Sequence, residues 1–91
     1  MLSGGLELDI VADTESAQSL LIEMKKTQEK MGIKTIKNFW EKVLCFSRLH
    51  PDREVFAAFF SAGGFTSEAQ AFCEEKEIGV STQLFIDLSN L

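Results

Sequence analysis

The chain has 91 residues, 45% of them apolar, and a formal net charge of −5 at pH 7. This length suits a single small domain over residues 1–91, and the apolar fraction is typical of a folded protein rather than a disordered one. No apolar run approaches the roughly 20 residues that a membrane-spanning helix needs. The start, MLSGGLELDI, lacks the basic and apolar regions of a signal peptide, so we expect a cytoplasmic protein.

The charges are distributed unevenly along the chain. Residues 1–23 carry five acids and no Lys or Arg, residues 24–53 carry eight bases and three acids, and residues 54–91 carry six acids and one lysine. The three segments therefore sum to −5, +5 and −5. A basic middle beside an acidic strand suits a site that holds cations at one point and phosphates around it. A solvated, lysine-rich helix face gives the same charge pattern.

Alternating apolar and polar residues predict two strands near the N-terminus. Residues 6–12 form the first, with Glu7 and Asp9 on its polar face. A polar, turn-like segment follows at residues 13–16, and residues 19–25 form the second strand. Two adjacent strands with a short polar link predict an antiparallel hairpin.

The middle of the chain predicts a helix and a strand. Apolar residues at three- and four-residue intervals indicate a helix over residues 33–49, which Pro51 ends. The polar residues expected to point largely outward from this helix are Lys34, Lys37, Glu41 and Lys42. The nearly continuous apolar run at residues 54–61 is typical of a strand buried on both faces. Trp40 and the phenylalanines are expected in the core or at dimer contacts.

The last part of the chain predicts a second helix and a final strand. Gly63-Gly64 indicates a turn, and Thr66 or Ser67 caps a helix that runs to about residue 76. Gly79 opens a short strand at residues 80–84. The order strand–strand–helix–strand–helix–strand predicts a mixed α/β domain with a sheet of about four strands and two helices.

The predicted hairpin brings two acids and a lysine together. Residues two apart on a strand point to the same face, so Glu23 and Lys25 project together, and Asp9 lies alongside on the neighbouring strand. Oxygen ligands without His or Cys favour Mg²⁺ or Mn²⁺. A metal held by Asp9 and Glu23 would polarise a phosphate and lower the pKa of a bound water, and Lys25 would stabilise the developing charge. The same acids on an ordinary exposed hairpin would have no such role.

The strand Leu-Glu-Leu-Asp-Ile-Val at residues 6–11, followed by Ile-Glu-Met-Lys at residues 22–25, resembles the PD-(D/E)XK nuclease superfamily. That superfamily includes restriction endonucleases and Holliday-junction resolvases. The similarity covers roughly residues 5–88 and includes the long helix and the apolar strand after it. It implies a restriction-endonuclease-like three-layer core and a Mg²⁺-dependent endodeoxyribonuclease. By the resemblance, the catalytic residues are Asp9, Glu23 and Lys25, and the metal ligands are Asp9, Glu23 and Glu7.

The resemblance also implies partners. DNA is the expected substrate, with RNA left open, and a homodimer or an ATPase as partner or fused domain is expected. Members of the family usually carry an N-terminal helix with another acid, whereas this chain begins at the hairpin, so we expect a minimal version or a fragment. The alternative function is a catalytically silent, nuclease-like adaptor or dimerisation module.

Several other residues have two interpretations. The lysines that follow the motif either contact flanking phosphates or form a solubilising surface; they are Lys26, Lys30, Lys34 and Lys37. Cys45 and Cys73 are expected to be buried, reduced thiols rather than metal ligands. His50 lies in a predicted surface turn, which disfavours a hydrolase built on a histidine.

Overall fold

The computed structural model describes residues 10–13 and 15–82. Its elements, in chain order, are β1 (Ile10–Asp13), β2 (Gln18–Lys25), α1 (Ile33–Leu49), β3 (Glu54–Ser61), α2 (Ser67–Lys76) and β4 (Gly79–Ser81). The prediction of a mixed α/β domain with two helices is confirmed. Neither helix in the described part of the chain has the length and apolar character needed to cross a membrane.

The sheet has the order β1-β2-β3-β4 within the described residues. β1 is antiparallel to β2, which is the hairpin that the sequence predicted. β2 and β3 pair in parallel along their whole length, from Gln18 opposite Glu54 to Lys25 opposite Ser61. β4 adds a third parallel strand, but it pairs with only three residues of β3. The carboxyl ends of β2 and β3 therefore lie at the same edge of the sheet.

The core lies on one face of the sheet. Leu21 of β2 pairs with Ala57 of β3, and Phe59 is two residues further along β3, so Leu21 and Phe59 point to the same face. Both are buried, and they form one cluster with apolar residues of both helices: Ile36, Phe39, Val43, Phe46, Ala69 and Cys73. Trp40 packs against this cluster, which confirms its place in the core. Thr66 caps α2 by accepting a hydrogen bond from the Ala69 amide at 3.2 Å.

The prediction that β3 is buried on both faces is wrong for the first half of the strand. β3 is buried from Phe59 to Ser61, but Glu54 is exposed and Phe56 is 46% exposed. Leu20, the partner of Phe56 on β2, is 36% exposed. The helices pack on the other face, and β4 pairs only with residues 58–60. Among the described residues, this apolar part of the sheet therefore has little cover.

Two loops pack against each other where β2 and β3 end. The Met31 amide donates a hydrogen bond to the Gly64 carbonyl at 2.9 Å, and the Thr66 amide donates one to the Met31 carbonyl at 2.9 Å. A Cβ atom on Gly63 would clash with the backbone carbonyl oxygen of Glu29. Residue 63 must therefore be glycine if the loop after β2 is to lie this close to the turn after β3.

We expect Gly63→Ala to lower the free energy of unfolding by about 1–3 kcal/mol, the usual cost of forcing extra atoms into a packed site. Gly79→Ala is the matched control, because a Cβ there meets only ordinary contacts of 3.6 Å and longer. Urea denaturation of the two variants and of wild type measures both effects. Equal losses in the two variants would show that the two loops do not depend on glycine at position 63.

Candidate functional site

Two of the three predicted catalytic residues lie in the described part of the chain. Glu23 and Lys25 are in the last three residues of β2, on the face that carries the core. Asp9 and Glu7 lie outside the described residues. Ile10, the residue after Asp9 in the sequence, pairs with Ile22, the residue before Glu23.

Glu23 is a buried acid, with only 6% of the residue exposed. A carboxylate in such a position costs several kcal/mol of solvation unless positive charges compensate for it. The Lys25 ammonium lies 3.6 Å from Oε2 of Glu23. The Lys42 ammonium donates a hydrogen bond to Oε1 at 3.3 Å. Each oxygen of the carboxylate therefore has its own lysine.

Lys42 is the residue of this site that the sequence analysis missed, and the prediction that it points outward is wrong. It lies on α1 three residues after Phe39 and four before Phe46, both of which are buried. With 3.6 residues per turn, this position is at the edge of the apolar stripe. A long lysine stem can follow the apolar surface while its ammonium reaches a polar partner. The spacing to the two phenylalanines was the available signal.

The described site has an excess of positive charge. One carboxylate faces two ammonium groups, so the three side chains sum to +1. The side chain of Lys25 is 44% exposed and that of Lys42 is 30% exposed. An ammonium has three N–H donors, and the contact with Glu23 occupies at most one on each lysine. Among the described residues, no other acid forms an ion pair with these two lysines, which leaves their remaining donors to an anion.

Glu23 by itself does not fit a metal ion. Within residues 10–13 and 15–82, no group of three or more His, Cys, Asp or Glu side chains is arranged to hold one. The Glu23 carboxylate is the hard oxygen donor that Mg²⁺ prefers, but a cation at either oxygen must replace an ammonium contact. A metal site at Glu23 therefore requires further acids, and Asp9 and Glu7 are the ones that the sequence offers.

Four exposed lysines follow the motif at the carboxyl end of β2. They are Lys26 and Lys30 in the loop and Lys34 and Lys37 in the first half of α1. The first turn of α1 has no acid, and Gly32 caps it without a side-chain hydrogen bond. Because the start of a helix carries partial positive charge, the lysines and the helix dipole add to one another. This end of the domain is therefore electropositive.

A second polar cluster closes the opposite end of the sheet. Arg53 donates from Nε to the Ser19 hydroxyl at 2.7 Å and from its terminal nitrogen to the Gln18 carbonyl at 2.9 Å. The Ser19 hydroxyl donates to the Asp13 carboxylate. Ser19 is only 1% exposed, so a substrate has no access to its hydroxyl. The cluster instead ties β1 and β2 to the start of β3.

The two cysteines are free thiols, as the sequence predicted. Cys73 lies in the core, as predicted, but the prediction that Cys45 is buried is wrong, because this side chain is only partly buried. Burial raises the pKa of the Cys73 thiol, and the negative charge of Glu74 acts in the same direction. His50 is exposed and caps the end of α1, where its ring lies 4.4 Å from that of Phe46.

A comparison of this chain with protein-family models, curated proteins and solved structures found no match. The resemblance to the PD-(D/E)XK superfamily therefore remains a sequence observation.

We expect Cys73 to resist alkylation in the folded protein, because the thiolate is the reactive form and both burial and the raised pKa disfavour it. In a Cys45→Ser variant, iodoacetamide at pH 8 should modify Cys73 at least about 100-fold more slowly than in urea. The rate should rise with pH, because the thiolate fraction grows as the pH approaches the raised pKa. A Cys73→Ser variant gives the alkylation rate of Cys45 under the same conditions. Rapid native labelling of Cys73 would contradict its place in the core.

Proposed function

We propose that this chain is a metal-dependent nuclease of the PD-(D/E)XK type that hydrolyses phosphodiester bonds in DNA. The observation that carries the proposal is the pairing of the buried Glu23 carboxylate with the Lys25 ammonium, 3.6 Å apart, at the carboxyl end of β2. In open α/β sheets, ligands bind beyond the carboxyl ends of the strands. An acid and a lysine two residues apart on such a strand supply a negative charge that can bind a metal ion and a positive charge that can stabilise the phosphate.

The proposal assigns roles to the residues around this pair. Asp9, Glu23 and Glu7 would hold Mg²⁺ or Mn²⁺, which when bound would polarise the phosphate and acidify a water. Lys25 would stabilise negative charge on the phosphate, since its ammonium is partly exposed. The four exposed lysines named above would contact flanking phosphates as point charges.

The fold and the charge distribution support this proposal. The mixed sheet, the antiparallel hairpin and the parallel crossover are compatible with a restriction-endonuclease-like core. The electropositive end at the start of α1 lies beside the motif, where a polyanion would approach. We propose a cytoplasmic location and DNA as the substrate, with RNA as the alternative.

We expect saturable binding of Mn²⁺ or Mg²⁺ that Glu23→Gln abolishes, because the substitution keeps the shape but removes the charge that a cation needs. Glu41→Gln, on the exposed side of α1, is the matched control for calorimetry.

The wild type should nick plasmid DNA only with metal, and Lys25→Met should slow nicking by about 10²-fold or more. Arg48→Gln also removes one positive charge, but from an exposed position near the other end of α1, so this variant should nick DNA at the wild-type rate. Metal binding unaffected by Glu23→Gln, or nicking unaffected by Lys25→Met, would overturn the proposal.

The second candidate function is a nuclease-like adaptor that assembles with a copy of itself or with an ATPase and cuts nothing. The observation that favours it is the exposed apolar part of the sheet at Leu20 and Phe56, on the face away from the helices. Large apolar side chains that lie next to each other on a sheet are typical of contact surfaces. A homodimer through this face is compatible with either function.

We expect Phe56→Ser to convert a wild-type dimer into a monomer, because the change removes the largest exposed apolar side chain of this face. Leu49→Ser is the control, since Leu49 is 63% exposed but lies at the end of α1. Sedimentation equilibrium over a concentration series measures both. A wild-type protein that stays monomeric, or a dimer that persists in Phe56→Ser, would exclude this face as the dimer contact.

A further inference from the structure

We infer that Lys42 and Lys25 form a phosphate-binding pair that works without a metal ion, with Lys42 as its second ammonium. The inference deepens the proposed function, on which it rests for the identity of the phosphate as part of a nucleic-acid backbone. Lys42 belongs to a different element from the motif, and neither its type nor its position follows from the acid and lysine of β2.

The described charges around Glu23 do not balance. One positive charge is enough to compensate for the negative charge of the Glu23 carboxylate, but two lysine ammonium groups lie within 3.6 Å of its oxygens. Among the ion pairs of the described residues, Lys25 and Lys42 share Glu23 and contact no other acid. A second ammonium that served only to neutralise the carboxylate would add repulsion between the lysines. Among the described residues, the two ammonium groups therefore carry more positive charge than Glu23 balances, and two adjacent charged donors suit an anion.

The positions of the two ammonium groups also suit a phosphate. Lys25 is fixed by a strand and Lys42 by a helix, and the buried side chains of Leu21 and Phe39 lie together in the core between these elements. Glu23 holds both ammonium groups against a single carboxylate, so the two cations are brought together before any ligand arrives. Phosphate oxygens accept short, charge-assisted hydrogen bonds from such donors. Both lysine side chains are partly exposed, which gives a phosphate access.

The pair predicts opposite effects of changing its members. Lys42→Met removes one donor and one charge, so phosphate binding should weaken. Glu23→Gln keeps one side-chain oxygen as an acceptor for an ammonium group and removes one negative charge from the cluster, so metal-free phosphate binding should strengthen. The two substitutions should have the opposite effects on the binding of a cation. Lys42→Met frees Oε1 of Glu23 and should strengthen cation binding, whereas Glu23→Gln removes the carboxylate ligand and should weaken it. A site built only to hold a cation would show no gain of phosphate affinity in Glu23→Gln.

The experiment measures the binding of a labelled, single-stranded oligonucleotide in EDTA by fluorescence anisotropy. We expect Lys42→Met to weaken binding about tenfold, the loss of one hydrogen bond to a charged group. Lys42→Arg should retain most of the affinity, and Glu23→Gln should bind more tightly than wild type. Arg48→Gln, with the same loss of charge near the far end of α1, should change affinity by less than about twofold. Lys42→Met should also lower the salt dependence of binding by about one unit of slope.

The outcomes separate this inference from the proposed function. If Lys42→Met binds as tightly as Arg48→Gln, or if Glu23→Gln gains no affinity, the phosphate-binding pair is wrong, whatever the metal and nicking assays show. If the EDTA results are as expected but the protein neither binds metal nor nicks DNA, the pair stands and the nuclease proposal fails. Thermal unfolding of each variant checks folding, and Lys42→Arg together with Glu23→Gln keeps the test decisive if Lys42→Met is unstable.

Discussion

β2 and β3 pair in parallel over eight residues each, and this pairing constrains most of the remaining structure. Parallel strands cannot be joined by a tight turn, so the chain between them must cross over, and α1 makes that crossing. The helix covers one face only, where its apolar stripe packs on Leu21 and Phe59. Because the two strands run in the same direction, the loops that follow them meet at one edge, and Lys25 stands at that edge.

The same arrangement explains how a buried acid is tolerated at Glu23. The strand supplies Lys25, but the strand alone would leave one carboxylate oxygen beneath the helix without a cation. α1 provides the missing cation through Lys42. The packing of the helix and the chemistry of the site are therefore linked, because a shift of α1 along the sheet would change the contact with Glu23. This link also explains why the described cluster is suited to an anion, while a cation there depends on acids from outside the described residues.

Strong periodicity made most of the fold predictable. The bounds of α1 and β3 agree with the expectation, because a helical stripe and a continuous apolar run are distinctive signals. The burial of β3 was mispredicted because an apolar run shows that a strand can be buried on both faces but does not show whether other elements pack on both faces. In the structure Phe56 is exposed. Lys42 was missed because a flexible side chain at the edge of a stripe can turn either way, and only the position of the neighbouring strand decides. The two-residue period of a strand predicted that Glu23 and Lys25 share a face, and the two side chains form an ion pair.

The close contact between the loop after β2 and the turn after β3 has a consequence for recognition. Two backbone hydrogen bonds through Met31 and the contact at Gly63 hold the two segments together. Ordering a free loop costs about 1–2 kcal/mol of conformational entropy for each residue. In this protein the loop is ordered when the chain folds, so a ligand does not have to order it on binding. Lys26 and Lys30 therefore project from a backbone that is already organised, so the anion proposed to bind there would not have to order this loop.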